Sequence, residues 1–155
     1  MTFRLTGLNP EPFRALFGLS DADLAARGAR RYIADAKPGF PDRIELRDAE
    51  PGEAVILLNY EHQPADNAYR SRHAIFVLDG ATTAYDRVDE VPDVIRTRQM
   101  SLRAFDGDDL MCAAELCAGA DFEGVVARLF AGPEAAYIHA HYATRGCYAA
   151  RIDRT

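Results

Sequence analysis

The chain has 155 residues, 48% of them hydrophobic and 27% charged, with a formal net charge of −6. That length suits one domain, residues 1–155, with a core of its own, and the composition excludes a disordered chain. The acidic balance excludes the overall basic footprint of a nucleic-acid binder, and no apolar run approaches the ~20 residues of a membrane span.

The start, Met1-Thr2-Phe3-Arg4, carries no apolar leader, so a cytoplasmic protein with reduced Cys112, Cys117 and Cys147 is expected. Phe3 to Leu8 reads as a short strand. Asn9 is a good helix cap before Pro10, and Phe13, Leu16 and Phe17 form an apolar stripe. Ser20 and Asp23 resemble a capping box opening a short helix that Gly28 closes.

Arg31 to Ala36 is predicted as a strand, followed by a turn at Pro38-Gly39-Phe40-Pro41. Arg43 to Arg47 alternates, which predicts Ile44 and Leu46 inward and Arg43, Glu45 and Arg47 outward. Ala54 to His62 is the longest apolar-led strand and is expected to be central. It ends in a polar cluster, Asn59-Tyr60-Glu61-His62-Gln63. A polar loop leads to the strand His73 to Leu78. Pro92 to Thr97 predicts a short helix. Ser101 to Phe105 and Leu110 to Cys117 predict a hairpin, with Cys112 and Cys117 as small core residues. Phe122, Val125, Val126, Leu129 and Phe130 give the spacing of a core-facing helix, stopped by Gly132-Pro133.

The chain ends in two strands, Tyr137 to Ala143 and Cys147 to Arg151. Alternation puts Tyr137, His139 and His141 on one face and Ile138, Ala140 and Tyr142 on the other. A three-residue loop, Thr144-Arg145-Gly146, would pair Ala143 with Cys147, His141 with Ala149 and His139 with Arg151. Cys147 and Arg151 would then share the histidine face. A two- or four-residue loop would instead put Cys147 with Ile138 and Tyr142, so Gly146 at the left-handed position and the coinciding apolar sets together select the three-residue register.

Four readings of that face follow. Two imidazoles on a strand can present to a metal, but zinc needs a third ligand and Arg151 beside His139 repels a cation, so no metal is assigned. Cys147 could be a nucleophile activated by His141, with Arg145 and Arg151 supporting a thiolate. The face could bind an anionic small molecule through His139, Arg151, Tyr137 and Arg145, with His62 as a further ligand-binding candidate. The plainest reading is a solvated face or a homodimer contact. No phosphate loop is present, and no cofactor, nucleic acid or membrane partner is expected. Arginines also group at Arg27, Arg30 and Arg31, at Arg70 and Arg72, and at Arg96, Arg98 and Arg103. These read as solvated charge or, more sharply, as an anion-binding surface.

Three blocks resemble an uncharacterised bacterial family, domain-of-unknown-function family 1203. They are DAKPGFPDRIELRDAEPGE (Asp35 to Glu53), LLNYEHQPADNAYRSRHAIFV (Leu57 to Val77) and YIHAHYATRGCYAARID (Tyr137 to Asp153). With the start FRLTGL, the resemblance spans nearly the whole chain. It implies one compact domain and brings no activity, substrate or catalytic residue. Relatives often have cysteine after the Gly-aromatic-Pro turn, where this chain has Asp42.

The expected fold is an α+β single domain with a mainly antiparallel β-sheet, two or three helices and a C-terminal β-hairpin. The α-helix from Phe122 should cover one sheet face and leave the other partly open.

Overall fold

A computed structural model describes residues 1–155. It contains two antiparallel sheets. The strands are β1 (Phe3–Thr6), β2 (Arg30–Ile33), β3 (Ala54–Gln63), β4 (Ser71–Leu78), β5 (Asp86–Val88), β6 (Gln99–Phe105), β7 (Met111–Ala118), β8 (Tyr137–Tyr142) and β9 (Tyr148–Arg154). The larger sheet has the order β5-β1-β9-β8-β6-β7 and the smaller one β2-β3-β4. The α-helices are α1 (Asp21–Ala26), α2 (Asp93–Arg96) and α3 (Phe122–Ala131). This is the expected mainly antiparallel α+β architecture with its C-terminal hairpin.

Local chemistry accounts for several boundaries. Ser20 Oγ accepts a hydrogen bond from the Asp23 amide at 3.1 Å and caps α1, and Gly28 closes it at φ +69°. Asn9 Oδ1 accepts from the Glu11 amide at 3.0 Å, although the following turn, Glu11–Leu16, is a 3-10 rather than an α-helix. Phe122, Val125, Val126, Leu129 and Phe130 on α3 are all buried against the larger sheet, each worth roughly 1.5–3 kcal/mol of burial.

Four expectations are corrected. The face of the larger sheet opposite α3 is not open. The end of β3 covers it, so Tyr137, His139 and His141 are 6%, 4% and 1% exposed. Residues 43–47 do not form an alternating strand. Their backbone bends, with Leu46 at φ +51°, and isolated bridges join Pro41 to Asp48 and Asp42 to Phe76. Ile44 and Leu46 are buried as predicted, but so is Arg43, at 2% exposure. The segment is strapped down by Leu8 N–H on the Arg43 carbonyl (2.7 Å) and Tyr85 N–H on the Ile44 carbonyl (2.8 Å). Gly7 permits this, because a β-carbon there would lie 2.1 Å from the Ile44 carbonyl oxygen. Cys112 is exposed and Cys117 only partly buried, because β7 is an edge strand.

The fourth correction is the register of the terminal hairpin. His139 pairs with Arg151 and Ala140 with Ala150, as predicted, but His141 pairs with Tyr148 across a β-bulge. The loop holds four residues, Ala143 to Gly146, closed by Gly146 N–H on the Tyr142 carbonyl (2.8 Å) and Tyr142 N–H on the Cys147 carbonyl (2.9 Å). The extra loop residue shifts the parity of Cys147, and the extra strand residue, Ala149, restores it beyond. Tyr148 therefore joins the histidine face, while Cys147 packs with Tyr142 in the core cluster beneath α3.

Candidate functional site

The sequence-predicted site residues separate into two places. The first is a ring cluster between the sheets. A bulge in β3 between the Glu61 and Gln63 pairs frees His62 from the ladder. His62 then stacks on Tyr148 at 5.5 Å, with 16° between the planes. His62 also meets His141 at 5.0 Å and His139 at 6.4 Å between ring centroids, and His139 lies 6.5 Å from His141. The neighbouring Gln63 amide donates to the Tyr137 hydroxyl at 2.9 Å, and that hydroxyl donates to Asp109 at 2.6 Å. Arg151 lies 4.0 Å over the Tyr137 ring and is bonded to both Asp153 oxygens.

This cluster is electrically neutral in its interior. Burial holds His139 and His141 down to about 3 and His62 down to about 4, helped by nearby positive charge from Arg103. His141 Nδ1 lies 2.9 Å from the Gly146 carbonyl oxygen, whereas Nδ1 of His62 and of His139 is buried without a partner. No three histidine, cysteine, aspartate or glutamate side chains are arranged to hold a metal ion.

Cys147 and Arg145 belong to the second place, a cavity of roughly 760 Å³ where the terminal hairpin meets the smaller sheet. His141 packs on rings on one face of β8–β9 and Cys147 lies on the other, so no His141–Cys147 dyad exists. The cavity wall includes Arg43, Arg98 and Arg145, with Tyr32, Phe40 and Phe76 on its apolar side. Its 17 lining residues include no Asp or Glu, although the chain has 24 of them.

Arg43 is the residue that sequence reading missed. Its Nε donates to the Tyr148 carbonyl at 2.8 Å, its Nη1 to the Pro41 carbonyl, and its Nη2 to Cys147 Sγ at 3.0 Å. It forms none of the chain's ion pairs, yet it is almost wholly buried. Asp42 next to it is spent on the backbone, accepting from the amides of Leu78 and Glu45. Arg98, by contrast, is clamped by Asp48 at 2.6 and 2.9 Å. Both guanidiniums flank the Tyr142 ring, at 4.9 and 5.3 Å from its centroid. Burial pushes the Tyr142 phenol up to about 12, and its hydroxyl has no hydrogen-bond partner. Arg98 belonged to one of the arginine groups visible in the sequence. Arg43 and Tyr142 gave no such signal, because both sit in ordinary strand-like alternation.

No helix is long and apolar enough to cross a membrane. The chain has no significant match among curated proteins or solved structures. The profile of a family described as Protein of unknown function (DUF1203) matches residues 39–154, which include His62, His139, His141, Arg43, Arg98, Arg145 and Cys147 but not Tyr32. The chain belongs to that family.

Proposed function

We propose that the protein binds a small amphipathic anion, an apolar body carrying a carboxylate or similar head, in the cavity beside the terminal hairpin. The observation that carries this reading is Arg43, a buried cation with two carbonyls and a thiol as partners and no carboxylate. A buried charge without a counter-charge costs several kcal/mol, roughly, and a bound anion removes that cost. Arg145 adds a second cation at the rim, and no Asp or Glu lines the wall. Tyr32, Phe40 and Phe76 supply the apolar wall.

In this reading Tyr137, His62, His139, His141 and Arg151 do not touch the ligand. They stiffen the strands whose other face holds Cys147. A reducing compartment, the cytoplasm, suits the three free thiols.

The test uses phenylacetate and its neutral counterpart phenylacetamide. Phenylacetate should raise Tm, by about 5–11 °C at a hundredfold excess over Kd, since that excess is worth ~2.7 kcal/mol. Phenylacetamide should leave Tm unchanged. Equal shifts with both compounds, or none with either, would overturn the assignment.

A further inference from the structure

We propose that Cys147 is the nucleophile of this cavity and forms a covalent bond with an electrophilic carbon carried by the bound carboxylate. The inference rests on the anion-binding reading and adds a reaction to it. Three observations converge on the sulfur. Cys147 is the one cysteine of the three that lines the cavity. Its Sγ lies 3.0 Å from Arg43 Nη2, so the counter-charge for a sulfur that has lost its proton is already in place. Tyr142 belongs to the same wall at 6% exposure, and its hydroxyl is buried without a hydrogen-bond partner.

The geometry also selects the substrate. A carboxylate drawn toward Arg145 and Arg43 brings the carbon next to it toward Cys147, since Arg145 lies two residues before Cys147 on the turn. With a haloacid the step balances as written. The Sγ–C bond forms, the C–halogen bond breaks, halide leaves with the bonding pair, and the thiol proton passes to water. No oxidant, reductant or metal is required. His141, on the opposite face, takes no part.

Iodoacetate and iodoacetamide differ in charge and little in size, so they separate thiol access from anion binding. Alkylation of the intact protein is followed at each cysteine by peptide mass spectrometry, with exposed Cys112 as internal reference. The iodoacetate-to-iodoacetamide rate ratio at Cys147 should exceed that at Cys112 by about tenfold or more. Phenylacetate should slow Cys147 alone, and Arg145→Glu should bring the Cys147 ratio down to the Cys112 value. A Cys147 ratio equal to or below that of Cys112 would overturn the proposal. If phenylacetate raises Tm while Cys147 resists both reagents, the nucleophile is refuted and the anion site stands. If phenylacetate neither raises Tm nor protects Cys147, both fall.

Discussion

The two faces of the terminal hairpin carry opposite kinds of polar chemistry. On one, His62, His139 and His141 are packed edge-on and face-on with Tyr148, and burial keeps all three neutral. On the other, Arg43 is just as buried and still charged, because a guanidinium does not give up its proton. An imidazole answers burial by neutralising, so a cluster of them serves as packing. A guanidinium answers it by recruiting acceptors, and Arg43 has recruited two carbonyls and a sulfur but no anion. That difference is why the anion site is proposed on the arginine face.

Breaking the packed side should give the largest effect. Tyr148→Ala removes the ring that His62 stacks on and should cost about 3–5 kcal/mol in urea unfolding, as for other buried aromatics. A loss below about 1 kcal/mol would mean that the cluster is not structural. On the other face, Arg43→Lys keeps the charge but cannot reach three acceptors. It should cost about 1–3 kcal/mol and weaken phenylacetate binding, measured by unfolding and calorimetry on the same variant.

Acid sharpens the contrast. The folded-state values of the three imidazoles lie below the ordinary 6.5, so between about pH 6.5 and 3–4 the unfolded chain binds more protons than the folded one. The stability they contribute is complete above 6.5 and is lost as pH falls toward the folded values. The slope is at most about 1.4 kcal/mol per pH unit for each imidazole. Between about pH 5 and 6.5, above the range where carboxylates titrate, His139→Leu should flatten the slope of unfolding free energy against pH by roughly a third, and an unchanged slope would contradict the buried-neutral assignment. The smallest effect belongs to Arg145→Ala. It makes none of the chain's ion pairs and sits on a turn, so stability should move by less than about 0.5 kcal/mol while phenylacetate affinity drops.

Much of the fold was legible because its signals are local. The alternation of Tyr137 to Tyr142, the apolar stripe from Phe122 and the Ser20 cap each act within a few residues, and each appears as read. The site was legible only in part. His62, His139 and His141 do converge with Tyr137. Cys147 left them because turn length and a bulge together decide its face: the apolar pattern favours a three-residue loop only while the strand is regular, and the bulge at Ala149 lets a four-residue loop match the same apolar sets. Arg43 was placed outward because Ile44 and Leu46 flank alternating charges. Its burial depends on contacts from Gly7, Leu8 and Tyr85, far away in the chain, and on Leu46 adopting a left-handed backbone. No local window contains that information.

On the proposed function the arginine face binds the anion and the imidazole face does not. An NMR titration with phenylacetate, following arginine Nε–Hε and imidazole resonances together, tests it most directly. Shifts confined to Arg43, Arg98 and Arg145, with His62, His139 and His141 unmoved, are the predicted result. Shifts of the imidazoles while the three arginines stay still would contradict it.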